Sequence, residues 1–234
     1  MEERKTIYLC LAHMSEEGWE QKYVKEAFDT NWVVPMGPNV NAFEKDLEGF
    51  VNGNSLDASA AALDRKVVCL SAGTAAVHLA LIGAGVKAGD EVLVQSYTFC
   101  ASSHPITYLG AKPVFVGSEG ETWNMDPELL ERAIIDRKAQ TGRYPKAIIP
   151  VALYGMPYQI DKILAVADRY GIPVIEDAAE GMGSRFDGRV LGTFGAYGVL
   201  SFNGNKMITT SIRRRTKGWR RRCRGNRSCV PCCA

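Results

Sequence analysis

The apolar positions of this chain form short runs, and from about residue 66 these runs alternate with longer segments of helical spacing. The short runs predict strands over residues 67–70, 91–95, 113–116, 147–153, 173–176 and 197–202. The longer segments predict helices over residues 74–83, 127–137 and 159–170, with a further helix from about residue 101. Strands that alternate with helices are typical of α/β proteins, so we expect a three-layer fold with a mostly parallel sheet.

The first 60 residues precede this alternation and predict a helical segment. Apolar side chains recur at helical spacing over residues 16–29 and 40–53, on either side of a turn-rich loop at 32–38. We therefore divide the chain into an N-terminal helical segment (1–60), an α/β domain (61–211) and a tail (212–234).

Polar residues follow several of the predicted strands. They occur at 71–74 and 96–99, at Asp177 and at Ser201. The carboxyl ends of parallel strands share one edge of a sheet, where α/β proteins bind their ligands. The sequence therefore predicts one site at this edge.

A lysine and an aspartate indicate which chemistry this site could perform. Lys206 lies 29 residues after Asp177, and each follows a run that predicts a buried strand. Such a pair is typical of enzymes that hold pyridoxal phosphate: the lysine forms a Schiff base with the aldehyde, and the carboxylate keeps the ring nitrogen protonated. Taken singly, Lys206 also fits a surface lysine, and Asp177 also fits a turn cap or a metal ligand.

The segment Ser71-Ala-Gly-Thr predicts a phosphate site between a strand and a helix. Gly73 permits a tight turn, and the Thr74 hydroxyl and the free N–H groups of the helix start suit an anion. The same Gly-Thr pair also fits a plain helix cap, and Phe99 alone also fits a core position. Glu176 is expected on the opposite face of its strand from Asp177, because side chains alternate along a strand.

Together these segments resemble the sugar-nucleotide aminotransferases of the DegT family, within the fold type I pyridoxal phosphate enzymes. The resemblance covers roughly residues 5–211. Its motifs are Trp32 with Gly37-Pro38 and Phe43-Glu44, Ser71-Ala-Gly-Thr-Ala-Ala, Tyr97-Thr-Phe-Cys-Ala-Ser, Tyr154-Gly155, Glu176-Asp-Ala-Ala-Glu-Gly and Ser201-Phe-Asn-Gly-Asn-Lys206.

The resemblance implies a role for each matched residue. Lys206 is implied as the catalytic Schiff-base lysine and proton carrier, and Asp177 as the partner of the ring nitrogen. Phe99 is implied to stack on the pyridine ring.

For the cofactor phosphate, the resemblance implies Gly73, Thr74 and Ser201. Glu180 stands where many relatives carry His or Gln beside the ring, and we place it near the cofactor's phenolic oxygen.

By the same resemblance, the reaction is transfer of an amino group, from glutamate in most of the family, to a nucleotide-linked keto-sugar in cell-surface polysaccharide or glycan biosynthesis. The intact family forms homodimers. A few relatives dehydrate sugars and carry a His in place of the lysine, and Lys206 argues against that reaction.

Composition separates the body of the chain from its tail. Residues 212–234 carry nine Arg or Lys and no acidic residue, so the rest has a net charge of −7 although the whole chain is at +2. The scattered cysteines of the body predict a reduced, cytoplasmic protein. We find no signal peptide and no apolar run long enough to cross a membrane.

The tail departs from the family pattern. Hydrophobic periodicity ends near Ser211, and the composition becomes rich in Arg and Cys. Three glycine codons read one base early can encode Arg213–Arg215, so we hypothesise a reading-frame shift and expect a non-native or disordered tail. The alternative is a functional tail, whose positive charges with Trp219 would bind nucleic acid phosphates. Its cysteines match no common zinc spacing.

A frame shift would leave the fold incomplete. In fold type I relatives, the strand after the lysine lies between the first strand and the strand before the lysine. Without it, the strand at 67–70 would lose a neighbour, and the C-terminal domain that closes over the substrate would be missing. A further alternative is therefore an inactive fragment of such an enzyme.

Overall fold

The computed structural model of the chain describes residues 15–53 and 63–209, together with the backbone of residues 229–233. The remaining residues of the predicted tail, including Trp219 and Cys223, lie outside the described residues.

Short strands carry the fold, as the sequence pattern predicts. In chain order they are β1 (Lys66–Leu70), β2 (Glu91–Gln95), β3 (Lys112–Val116), β4 (Ala147–Ile149), β5 (Ile175–Asp177), β6 (Arg185–Phe186), β7 (Arg189–Val190), β8 (Tyr197–Ser201) and β9 (Cys229–Cys233).

Among the described residues, seven of these strands form one parallel sheet. Two ladders, β1-β9-β8-β5 and β3-β2-β4, contain only parallel pairs. Parallel bridges from Ile148 to Val174 and from Val151 to Asp177 join β4 to β5. The order across the sheet is therefore β1-β9-β8-β5-β4-β2-β3, and β6 and β7 form a separate antiparallel hairpin.

Helices connect the strands and cover both faces of the sheet. They are α1 (Trp19–Asp29), α2 (Pro38–Asn52), α3 (Gly73–Gly83), α4 (His104–Tyr108), α5 (Pro127–Thr141) and α6 (Ile160–Tyr170). Local chemistry sets their ends: the Asp126 carboxylate accepts from the N–H groups of Glu128 and Leu129 at the start of α5, and Gly142 ends that helix at a φ of 73°. None of the described helices combines the length and apolar character that a membrane crossing requires.

Alternating strand residues divide the core between the two faces. Val92 and Val94 pack in the cluster that contains α3 and α4. Leu93 packs in the cluster that contains α2, α5 and α6. Because strand side chains point to opposite faces in turn, a continuous apolar run is the expected sequence for a strand covered on both sides. The three-layer α/β prediction is confirmed.

Several predicted boundaries shift, for local reasons. The strand expected over 147–153 ends at Ile149 because Pro150 has no N–H to donate to a ladder. The strand expected over 173–176 becomes Ile175–Asp177. The helix expected from about residue 101 is a 3₁₀ turn at Cys100–Ser102 followed by the five-residue α4, which ends before Gly110 at a φ of 69°.

The C-terminal strand β9 departs from the sequence-based expectation. We expected a non-native or disordered tail, and a frame shift would have left the strand at 67–70 without a neighbour. Instead, the backbone of Cys229–Cys233 lies between β1 and β8 and pairs in parallel with both. The open ladder positions of β1 and β8 give any nearby extended segment backbone donors and acceptors to pair with.

Candidate active site

One cavity of about 360 Å³ opens at the carboxyl ends of β1, β5 and β8. This volume is within the range of small-molecule sites. All seven residues that the sequence analysis placed in the site line this cavity, namely Gly73, Thr74, Phe99, Asp177, Glu180, Ser201 and Lys206. The topology explains why, because the strands that precede them (β1, β2, β5 and β8) are parallel members of one sheet and end at the same edge.

The start of α3 forms one side of the cavity. Gly73 is the first residue of this helix, after Ala72 in extended backbone, and Thr74 follows in the first turn. The first N–H groups of a helix have no partner within it, and the helix dipole adds positive potential there. Ser201, at the end of β8, is buried and lines the same cavity. This group suits a phosphate.

The Asp177 carboxylate is buried and held at both oxygens. Its Oδ2 accepts from Ser102 Oγ at 2.7 Å, and its Oδ1 accepts from the Ala179 N–H at 3.1 Å. Ser102 Oγ is also 2.9 Å from Thr98 Oγ1. These contacts fix the direction of the carboxylate before any ligand enters.

Burial raises the pKa of the Asp177 carboxyl above its ordinary value. The hydrogen bonds from Ser102 and Ala179 and the charge of Lys206 oppose this rise. The site therefore carries a desolvated carboxylate, which a positively charged ring nitrogen would stabilise by direct pairing.

The amine of Lys206 is close to a second carboxylate. Its Nζ lies 3.1 Å from Glu180 Oε1, and the side chain of Lys206 is 14% exposed. The other oxygen, Glu180 Oε2, accepts from the N–H of Tyr154 at 2.8 Å. Glu180 therefore joins Lys206 to the turn around Tyr154.

The loop that carries Lys206 rests on the N-terminal segment. Phe202 is buried, and its ring meets that of Phe43 on α2 edge-on, with centroids 5.1 Å apart. Within the loop, the N–H of Lys206 donates to the Asn203 carbonyl at 2.9 Å. Helix α2 (38–52) therefore packs against the loop that positions Lys206.

Phe99 lines the cavity with its ring 72% exposed, which excludes the core interpretation of this residue. Glu176 faces away from the cavity, as expected from strand alternation. Its carboxylate accepts from the N–H groups of Gly192 at 2.7 Å and Phe194 at 2.9 Å. Glu176 therefore fixes the loop before β8, and it takes no part in the cavity.

Sequence reasoning missed Ser102, Thr98 and the N–H of Tyr154. Ser102 and Thr98 lie in the segment 97–102, which the resemblance singled out as a motif. The sequence feature that could have indicated them is a pair of hydroxyl side chains, four residues apart, that follow a predicted strand. Nothing in the sequence assigns them to Asp177, which lies 75 residues further along the chain.

The residues present suit a phosphorylated aromatic aldehyde. A helix start, a buried carboxylate and an amine line one cavity of suitable volume. These are donors for a phosphate, a partner for a ring nitrogen and a nucleophile for a carbonyl carbon. The described residues contain no group of three or more His, Cys, Asp or Glu side chains placed to hold a metal ion.

Sequence comparison identifies similar proteins. The chain is 50% identical to EpsN of Bacillus subtilis (strain 168) over 207 residues, which cover 88% of this chain and 50% of that protein. It is 40% identical to GDP-perosamine synthase of Caulobacter vibrioides over 194 residues, which cover 83% of this chain and 47% of that protein. The chain thus spans about half the length of the curated relatives it matches.

Structural comparison agrees. The fold is similar to that of the E. coli GDP-4-keto-6-deoxy-D-mannose-3-dehydratase with bound hydrated PLP, with a TM-score of 0.72 and 26% identity over 87% of this chain and 48% of that one. The sequence profile of the DegT/DnrJ/EryC1/StrS aminotransferase family matches residues 14–211. The chain therefore belongs to the DegT/DnrJ/EryC1/StrS aminotransferase family.

Proposed function

We propose that this chain is the cofactor-binding part of a pyridoxal phosphate-dependent aminotransferase that acts on a nucleotide-linked keto-sugar. The observation that carries the proposal is the cavity, which brings the Lys206 amine, the Asp177 carboxylate and the start of α3 together. Family membership supports the same reaction class.

When bound, pyridoxal phosphate supplies an aldehyde and an aromatic ring that withdraws electrons. The first turn of α3, with Thr74 and Ser201, binds the phosphate. Asp177, held by Ser102, pairs with the ring nitrogen and keeps it protonated. Phe99 covers a face of the ring.

Lys206 has two tasks in this proposal. Its amine would hold the cofactor covalently in the resting protein, and once free its Nζ would carry a proton during amino transfer. Its position in the loop after β8 suits both tasks, because the backbone is anchored there by its hydrogen bond to Asn203 while the long side chain reaches into the cavity.

The substrate class follows from the relatives. GDP-perosamine synthase is named for a product that is an amino sugar on a nucleotide, and it shares 40% identity with this chain. Glutamate is the amino donor that we propose, by resemblance to the family. Biosynthesis of a surface polysaccharide is the corresponding biological setting.

We further propose that the functional form is a homodimer in the cytoplasm. Large apolar side chains at the N-terminal end are exposed, among them Phe28 at 65% and Met36 at 63%, and such groups favour burial against another chain. Within the described residues, Cys100 is an exposed free thiol, and a cytoplasmic setting is proposed from the scattered spacing of the body cysteines.

A sugar dehydratase is the second candidate, because a dehydratase shares this fold. The amine of Lys206 favours aminotransfer, since the dehydrating relatives carry a His at that position. A nucleic-acid-binding role would rest on residues 212–228, which lie outside the described residues.

Reconstitution with pyridoxal phosphate tests the proposal. The purified chain should develop a visible absorption band, and borohydride reduction should attach the cofactor to the peptide that contains Lys206. Lys206→Ala should abolish both signals. Lys162→Ala, at an exposed position on α6, should leave both unchanged. An unchanged band in Lys206→Ala would contradict the proposal.

A second measurement separates an active protein from an inactive fragment. Glutamate added to the loaded chain should convert the visible band if the chain performs the first half of amino transfer. A loaded chain that does not respond is an inactive fragment, and DNA downstream of codon 211 should then show a family-like sequence in another frame. An intact frame in independent reads, with no such sequence, would contradict the frame-shift hypothesis.

A further inference from the structure

The carboxylate of Glu180 bridges the site lysine and a strained turn. Oε1 lies 3.1 Å from Lys206 Nζ, and Oε2 accepts from the Tyr154 N–H at 2.8 Å. Glu180 side-chain exposure is 29%, so the pair is partly shielded from solvent. The two contacts use both oxygens and leave the side chain little freedom to turn.

The turn at Leu153–Gly155 has a backbone conformation that its side chains do not explain. Tyr154 has a φ of 52° and a ψ of 25°, and Gly155 follows at a φ of 80°. A left-handed tyrosine is uncommon and persists where the surroundings require it. Tyr154 as a whole is 76% exposed, so burial of this residue does not hold it there.

Hydrogen bonds hold this turn at each of its three N–H groups. Leu153 donates to Asn124 Oδ1 at 3.1 Å, Tyr154 to Glu180, and Gly155 to the Ala152 carbonyl at 3.1 Å. The conformation of Tyr154 thus points its N–H at Glu180. Gly155 also needs to lack a side chain, because a Cβ there would lie 3.1 Å from the Glu180 carbonyl oxygen.

Two carboxylates act on the Lys206 amine. Glu180 contacts it directly, and Asp177 is close enough for the charge of Lys206 to lower the pKa of the Asp177 carboxyl. The first turn of α3, across the cavity, adds the positive end of a helix dipole. Before a cofactor enters, Glu180 is the group that pairs directly with the ammonium.

We propose that Glu180 is a positioning residue that holds Lys206 as a charged ammonium in the cofactor-free protein, with the Leu153–Gly155 turn as its anchor. Covalent loading requires the uncharged amine, whose nitrogen bonds to the aldehyde carbon while water leaves. The ammonium must therefore first release a proton and give up its pair with Glu180. Glu180 thus slows loading. The loading step rests on the proposed function, whereas the ion pair does not.

Acetylation of the cofactor-free protein tests the ion pair without any cofactor. Acetic anhydride labels uncharged amines, and the label on Lys206 is quantified by peptide mass spectrometry, with Lys162 as an internal reference. Glu180→Gln removes the charge and retains an oxygen for the Tyr154 N–H. We expect Lys206 to be labelled about two- to fivefold faster in this variant at neutral pH.

Two further variants sharpen the test. Gly155→Ala displaces the anchor without touching the carboxylate, and we expect a smaller shift in the same direction. Glu128→Gln removes a carboxylate from the first turn of α5, and we expect no change. Glu180→Asp keeps the charge on a shorter side chain and should give a labelling rate between those of the unaltered chain and Glu180→Gln. If Glu180→Gln does not fold, the labelling rate of Lys206 in Glu180→Asp tests the ion pair instead.

A labelling rate that rises as much in Glu180→Asp as in Glu180→Gln would mean that the variants merely loosen the loop, and would overturn the proposal. An unchanged rate in Glu180→Gln would overturn it as well. Loading with pyridoxal phosphate is the separate arm, and the rate of covalent attachment should rise in Glu180→Gln as labelling does. If labelling shifts and no variant binds the cofactor, the proposed function fails and the ion pair stands.

Discussion

At the scale of single residues, the site depends on a carboxylate that is costly to bury. Asp177 is 4% exposed, and burial raises the pKa of its carboxyl. Ser102 and the Ala179 N–H offset part of this cost by donating to the ionised form. Ser102 is therefore as much a part of the site as the aspartate, although it lies on a different element.

Removal of the Ser102 hydroxyl should destabilise the chain in a pH-dependent way. Because the folded pKa of Asp177 is raised, the stability that this carboxyl contributes is fully present below its unfolded pKa and is lost as pH rises through the folded pKa. Ser102 opposes that loss. Ser102→Ala should therefore lower the free energy of unfolding by about 1–3 kcal/mol above the folded pKa and by less at acid pH. Urea unfolding across this pH range measures the difference.

Asp177→Asn provides the control for this prediction. In that background the residue at 177 no longer ionises, so the cost of Ser102→Ala should be the same at every pH. A cost that still grows with pH would assign the effect to another group. Glu176, whose pKa burial also raises, is the first to test.

At the scale of elements, the loop before β8 packs closely against this strand because glycines lie at the point of contact. A Cβ on Gly198 would overlap the carbonyl oxygen of Gly192. Glu176 and Arg65 hold the same loop: Glu176 accepts from Gly192 and Phe194, and Arg65 donates to the Gly195 carbonyl at 3.0 Å. This loop sets the position of β8, and β8 carries Ser201 and leads to Lys206.

Gly198→Ala should therefore lower the free energy of unfolding by at least about 3 kcal/mol, because the backbone of a central strand cannot move away from Gly192. Gly49→Ala is the matched control. Its Cβ would meet nothing within 4 Å, and it lies within α2. We expect Gly49→Ala to stabilise the chain by about 0.5–1 kcal/mol, since alanine favours a helix. Thermal unfolding of both variants measures this, and equal effects would contradict the prediction.

The elements themselves were largely predictable from the sequence. Each strand of the sheet up to β8 coincides with a predicted apolar run, because a strand covered on both faces must be apolar throughout. Boundaries were less predictable where a backbone detail decides them, as at Pro150. The hairpin of β6 and β7 was missed, because its two-residue strands are too short to show a period.

At the scale of the whole molecule, the sheet is continuous because β9 joins β1 to β8. The family profile ends at residue 211, so β9 lies beyond the matched segment. Pro231, which is paired with Val68, has no N–H to give to this ladder. β9 therefore pairs with its neighbours through an incomplete set of backbone hydrogen bonds.

A chain that ends at residue 228 tests the contribution of β9. Without this strand, the β1 and β8 amides that pair with it lose their acceptors. We expect the amides of Lys66–Leu70 and Tyr197–Ser201 that donate to β9 to exchange at least about tenfold faster than in the full chain. The amides of Val67 and Cys69 should not, because they donate to Glu48 and Glu44. The strand Lys112–Val116, at the opposite edge of the sheet, should exchange at an unchanged rate. Equal protection of β1 in both chains would contradict this role of β9.

The sequence by itself determined the α/β class, the order of the strands from β1 to β5 and β8 with the helices between them, and the choice of Lys206, Asp177 and the Gly73-Thr74 turn as candidate site residues. Local patterns carry this information, because burial on both faces, helix starts and strand ends each impose their own residue types. Only the tertiary structure decided what surrounds these groups: the Ser102 hydroxyl on Asp177, the Tyr154 N–H on Glu180, and the placement of β9 between β1 and β8. These contacts join segments far apart in the chain, and no local preference encodes a partner at that distance.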